Sequence, residues 1–183
     1  NGGSLTNKNG DIFFVNNTTA SIDLSGVTIV NEDEEGVFLR AAAAGWGSEG
    51  SNGGHVTMTA DGQEIGGDLL VDEVSTLNLY LKGGSSLSAA INPEGEEGEV
   101  YVEIEDGSTW TLTGDSYITS LTCSAGSINL NGHTLYVGGE AYTEGNASTG
   151  EAIEVTVSTG SGSGAPDGAG GPGRNGEEPP EKP

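Results

Sequence analysis

Between residues 107 and 137, GSTWTLTGDSYITSLTCSAGSINLNGHTLYV, apolar side chains alternate with small polar ones in short segments. Trp110 and Leu112 form one pair, Ile118 and Leu121 bound a second segment, and Ile128 with Leu130 and Leu135 with Val137 complete the series. Gly114-Asp115, Ala125-Gly126 and Asn131-Gly132 separate them, and such dipeptides mark turns. A period of two sends alternate side chains to opposite faces, which is the signature of a half-buried strand. The same pattern predicts strands at 11–15, 21–24, 27–30, 37–39, 55–60, 68–71, 76–81, 87–91 and 99–104, and a last one at 153–157. The alternation is sharpest over 99–104, where Val100, Val102 and Ile104 face one way and Tyr101, Glu103 and Glu105 the other. Val100, Val102, Ile104, Trp110, Leu112, Ile128 and Leu130 are the predicted core. The alanine run 41–44 suits either a helical turn cut off at Gly45 or small residues packed on a strand.

A weak repeat gives these strands an architecture. Gly-Ser pairs enter strands at Gly84-Ser85, Gly107-Ser108 and Gly126-Ser127. A solenoid coil of roughly 20 residues, each stacked on the last at about 4.8 Å, produces that spacing. The fold expected is all-β, a parallel β-helix of short strands. A β-sandwich is the alternative, but it favours tight hairpins between longer strands. From residue 158 the sequence STGSGSGAPDGAGGPGRNGEEPPEKP has no aliphatic side chain larger than alanine, so it is expected to be a disordered tail or linker. The β-helix domain is therefore placed at 1–157 and the tail at 158–183. The chain starts without Met and in mid-pattern, and reads as a mature form or a fragment whose solenoid is incomplete at its N-terminus.

Composition narrows the function. The 33 glycines exclude an ordinary helical domain, since each costs roughly 1 kcal/mol in a helix relative to alanine. Twenty-eight acidic residues against five Lys and Arg give a net charge of −23. Such a polyanion repels phosphate backbones and anionic lipids, so no nucleic-acid partner and no membrane insertion are expected. The single cysteine, Cys123, lies on a predicted strand beside Leu121 and reads as a buried, inert thiol.

The run from Trp110, WTLTGDSYITSL, followed by SINLNGHTLYVGG, resembles the last coils of right-handed parallel β-helices, including autotransporter passenger domains of secreted adhesins. Residues 38–59, FLRAAAAGWGSEGSNGGHVTMT, and 65–81, IGGDLLVDEVSTLNLYL, are similar to secreted, glycine-rich β-helix proteins of gut bacteria that are described only as carbohydrate-binding. The resemblance spans residues 10–139. It implies a right-handed β-helix in an extracellular or bacterial cell-surface setting, with glycans or host surface proteins as partners.

The candidate chemistry is sparse. A pectate-type lyase needs calcium-binding carboxylates and a base, and the body offers only Lys8, Arg40 and Lys82 as basic groups, with Arg40 within reach of 31–35 after folding. A hydrolase needs paired carboxylates on one coil face; Asp11, Asp23, Asp68, Asp72 and Asp115 are the candidates, and each also fits a turn-capping role. No enzyme activity is therefore expected. Nor is a cofactor, beyond weak calcium at the acidic loops 32–35 and 94–99, which lack the spaced ligand order of a calcium loop. His55 and His133 lie too far apart in sequence to suggest zinc. Glycan contact needs an exposed aromatic ring, for which Trp46, Tyr101, Tyr136 and Tyr142 are candidates. Trp46 leads, because the glycine-rich loop 45–54 interrupts the coil pattern and brings Glu49 and Asn52 as hydrogen-bonding partners; packing of the ring over the alanine run is the competing reading. The function expected is a non-catalytic adhesion or display module, with a carbohydrate-binding module of a larger enzyme, or a degenerate lyase or hydrolase, as alternatives.

Overall fold

The computed structural model describes residues 2–95 and 98–155, which form seventeen strands and no helix. The first level carries β1 (Ser4–Asn7) and β2 (Phe13–Val15). The next levels carry β3 (Thr18–Ser25), β4 (Thr28–Asn31) and β5 (Val37–Ala41), then β6 (Gly54–Asp61), β7 (Glu64–Gly66) and β8 (Asp68–Val71). There follow β9 (Thr76–Lys82) and β10 (Ser86–Ala89), then β11 (Glu99–Ile104), β12 (Thr109–Leu112) and β13 (Ser116–Ile118). The last level holds β14 (Ser120–Cys123), β15 (Ile128–Asn129) and β16 (Leu135–Val137), and β17 (Glu140–Ala141) folds back on it.

β3, β6, β9, β11 and β14 stack in that order into a five-stranded sheet, the long face. β1 and β4, then β7, β10, β12 and β15, make the second face. The third consists of β2, β5 and β8, then β13 and β16, with a single bridge between Leu69 and Ile91. Pairing between levels is parallel throughout, and β17 alone runs antiparallel to its neighbour β16. The molecule is thus a parallel β-solenoid of about six turns, and the sandwich alternative falls. The Gly-Ser repeat is the coil repeat itself: Ser85 and Ser108 lie 23 residues apart on successive levels, and Val100 meets Thr119 at a spacing of 19. Val27 meets Gln63 only after 36 residues, because that coil carries the excursion at 42–53.

Inward side chains stack in columns. On the long face Met58, Leu79, Val102 and Leu121 lie in register, and on the second face Ile65, Leu87, Trp110 and Ile128 do. Trp110 is 0% exposed and its Nε1–H donates to the Ala89 carbonyl at 3.1 Å, so burial leaves no polar atom unmatched. Of the predicted core, six residues are buried. Leu130 is only half-buried, since it lies past β15 on the last level, where residues 140–146 cover the core instead of another coil.

Buried polar side chains join the levels at the corners. The Ser85 hydroxyl receives the Gln63 N–H at 3.0 Å, and the Ser108 hydroxyl receives the Ser85 N–H at 3.1 Å. Gln63 bridges β4 and β7, where no strand ladder runs, by accepting from Val27 N–H (2.8 Å) and donating to the Val27 carbonyl (2.7 Å). Asn92, at φ 48°, accepts from Val71 N–H at 2.7 Å on the third face. Where the chain enters the long face the coils approach so closely that a Cβ on Gly54 would lie 2.2 Å from the Val15 carbonyl oxygen.

Several expectations are corrected. β1 and β7 were not foreseen, and the segment 118–121 divides into β13 and β14 at a corner marked by Thr119, whose Oγ1 receives the Val100 N–H at 3.0 Å. The alanine run makes no helix: Ala41 ends β5, and 42–44 lie outside any element. Residues 153–155 are not a strand but part of a strap described below. The tail expected from 158 lies outside the described residues. Cys123 is buried, with its sulfur beside the Tyr142 hydroxyl at 4.0 Å. Burial, followed by the neighbouring Cys123, pushes the Tyr142 phenol up to about 12.

Two outcomes are expected. Trp110→Ala should lose ~3–5 kcal/mol in urea unfolding by opening a cavity in the column; a loss below about 1 kcal/mol would contradict that packing. A raised phenol pKa favours the neutral side chain in the fold. Stability from Tyr142 should therefore be complete below the ordinary tyrosine pKa of about 10 and decline as pH climbs through about 12. Ultraviolet difference titration should show a late phenolate component that is missing from Tyr142→Phe.

Candidate functional site

The excursion 42–53 leaves the third face beside the first level and is tied down at its base. Ala42 N–H donates to the Val15 carbonyl at 3.1 Å and Ala43 N–H to Asp72 Oδ2 at 2.7 Å. Asn52 spends its side-chain amide on the Trp46 carbonyl (3.2 Å), while its own carbonyl receives Asn17 N–H at 3.0 Å. Asn52 thus shapes the loop, and a sugar hydroxyl would have to compete with that bond. Glu49 is exposed on the same loop. Trp46 is 62% exposed.

The other aromatic candidates are engaged. Tyr101 is 3% exposed, lies edge-on to Tyr80 and donates its hydroxyl towards Glu103 (2.8 Å). Tyr136 stacks on Tyr117 at 4.8 Å and 10°. Tyr142 covers Cys123 and donates to the Asn146 carbonyl. Sequence reasoning missed Phe14, which is 50% exposed on β2 opposite Arg40. The signal was present: in a strand, Phe13 and Phe14 must face opposite sides, and Phe13 is the one that meets Phe38 in the core, at 5.5 Å.

Beside the loop, an open groove of about 570 Å³ runs over the upper long face. Its floor is Thr19, His55, Thr76 and Glu99, consecutive outward positions on β3, β6, β9 and β11. His55 Nδ1 and Thr76 Oγ1 are 3.1 Å apart. Ser51 and Gly53 of the loop form one wall, with Glu73 nearby, and Glu154 and Val155 stand at the edge. Glu154 and Val155 are the last described residues of a strap, from 148 onward, that crosses the outer long face. Gly150 is bonded to Thr122 in both directions (3.0 and 3.2 Å) and Ile153 to Asn78 in both directions (2.8 and 2.9 Å). The strap explains why Tyr101, an outward residue, is covered.

The acidic candidates serve the fold. Asp68 accepts from Ala90 N–H (3.0 Å), Asp115 from Thr134 N–H (2.8 Å), and Asp72 from Ala43 N–H and the Ser75 hydroxyl (2.7 and 2.6 Å). Asp23 accepts from the Ser21 hydroxyl (3.3 Å). Arg40 pairs with Asp11 through two nitrogens (2.7 and 3.2 Å). In the acidic loop 32–35, Asp33 accepts from Gly10 and Glu35 N–H (2.7 and 3.0 Å), and Lys8 lines the same hollow. Of the second acidic loop, residues 96 and 97 lie outside the described residues. His133 sits 3.9 Å from Asp115 and is not brought to His55's groove. Among the described residues no three His, Cys, Asp or Glu side chains converge as a metal site. No helix of the described residues is long and apolar enough to cross a membrane.

The sequence matches no family model, no curated protein and no solved structure.

Asn78→Ala should free the strap locally while leaving the core intact. Hydrogen exchange at the Ile153 amide is expected to speed up by about fivefold, as loss of a bond worth ~1 kcal/mol predicts, with no change at Val102. Unchanged exchange at Ile153 would show that the strap is held by other contacts.

Proposed function

We propose that this chain is a non-catalytic β-solenoid module for adhesion or display, in a secreted or cell-surface setting, and that it contacts glycans through the loop 45–54. The observation that carries this reading is Trp46: a tryptophan residue 62% exposed on a loop anchored at both ends to the solenoid. Exposed aromatic rings bind the apolar faces of sugars at little conformational cost. Glu49 and Ser48 on the same loop supply hydrogen-bonding partners for hydroxyls. The setting follows from the resemblance of residues 10–139 to secreted bacterial β-helix proteins. Against a catalytic reading, Asp68, Asp72 and Asp115 are committed to backbone N–H groups and Asp11 to Arg40.

Titration with neutral and mucin-type glycans, followed by heteronuclear NMR, tests it. Shifts should centre on the Trp46 indole and residues 45–54, with Kd on the order of 0.01–1 mM for so small a contact. Trp46→Ala should abolish them while leaving the melting temperature unchanged within a degree or two, as is usual for an exposed side chain. Shifts that persist in Trp46→Ala would move the contact elsewhere, and no shifts with any glycan would remove the glycan part of the reading.

A further inference from the structure

We infer that the outer long face is a track for extended polypeptide laid along the solenoid axis, and that the groove ahead of Val155 takes a basic segment of a partner protein. This does not depend on the glycan contact at Trp46.

Half of the track is already filled by the chain itself. Ser148 bridges to Cys123 on β14, Glu151 N–H donates to the Ser120 hydroxyl at 3.0 Å, and Gly150 and Ile153 are each held in both directions by one side chain, Thr122 and Asn78. These bonds all go to the strap's backbone. In an extended residue the N–H and C=O point to the same side, so the Asn78 carboxamide meets Ile153 as a neighbouring strand would. The face therefore recognises an extended chain with little regard to its side chains.

The track continues past the strap. In register with Asn78 lie Thr57 on β6 and Ser21 on β3, and in register with Thr76 lie His55 and Thr19. These outward side chains offer the same donor and acceptor chemistry as Asn78 and Thr122. Glu154 and Val155 border the groove, so strap and groove share one line. Strands are about 4.8 Å apart and an extended residue spans about 3.3 Å. Crossing from β9 to β3 thus takes roughly three residues, and the whole groove four to six.

Charge selects the occupant. Glu73, Glu99 and Glu154 line the groove, and among the described residues no Lys or Arg does, in a chain of net charge −23. The carboxylates lie too far apart to share one metal ion, as no three-ligand cluster forms among the described residues. They fit separate cationic side chains spaced along a peptide, and they repel an acidic one.

The test uses the full chain and two labelled eight-residue peptides: one with the sequence of residues 148–155, the other with Lys at both Glu positions. The Lys peptide should bind with Kd on the order of 100 µM at low salt, shifting Thr19, His55 and Thr76 in NMR spectra. The acidic peptide should not bind. Glu73→Gln with Glu99→Gln should weaken the Lys peptide at least about fivefold. Glu34→Gln with Glu35→Gln removes equal charge from a remote loop and should change affinity less than about twofold. Equal weakening by both double variants would reduce the effect to general attraction and overturn the inference. So would equal binding of the two peptides, or shifts mapping outside the groove.

Discussion

Each coil completes its backbone hydrogen bonds on the coils above and below, and every other feature of the molecule depends on that constraint. The strands are two to eight residues long, too short to be stable singly. They persist because parallel stacking repeats the same register on three faces and brings like positions together. Leu79 lies on Val102 and Leu87 on Trp110 for the same reason that Thr76 lies beside His55. Core and surface are thus set by one register. A slip of one residue would invert both, burying the groove floor and exposing the Trp110 column.

The corners show how irregular coil lengths are reconciled with regular stacking. Turns contribute little to the sheets, so their N–H groups need other partners. Gln63, Ser85, Ser108, Asn92 and Ser116 supply them from buried positions, and no buried side-chain nitrogen or oxygen of the described residues lacks a partner. Low dielectric at these sites strengthens each bond and makes its loss costly. Asp68, Asp72 and Asp115 do the same work nearer the surface. Much of the acidic character that resembles catalytic potential in the sequence is therefore corner chemistry.

Alternation made the long strands legible, because residues 99–104 or 76–81 read apolar and polar in turn and the structure keeps that order. β7 escaped notice because Glu64–Gly66 offers one apolar side chain, Ile65, and a period of two needs more than one. β1 has the same poverty, with Leu5 alone. The Gly-Ser spacing revealed the coil length, but not that the serines are buried links between coils. Tyr101 was read correctly as outward, yet it is covered by residues that follow it by about fifty positions; the bond from Asn78 to Ile153 spans 75. No local pattern encodes such a contact. The groove was hidden for the same reason, since its floor draws one residue from each of four strands. Trp46 stood out because it breaks the pattern, and Phe14 was overlooked because it lies within one.

The exposed features cluster at the end of the solenoid where packing is thinnest. Among the described residues β1, β2 and β3 pair on one side only, and Phe13, Ala20, Ile22, Val27 and Ile29 are only partly buried. At the other end β17, Tyr142 and the strap close the last coil. Stability in a solenoid is a sum over coils and their interfaces, so the first levels open at lower free energy than the middle. Trp46, Phe14 and the β3–β6 part of the groove all lie there. A ligand that bridges the loop and the β3–β6 surface would favour the closed form of those levels and raise their stability by mass action. Binding at this end would then register as slower hydrogen exchange in β3 and β6, with little change around Trp110, because the inner coils are already held on both sides.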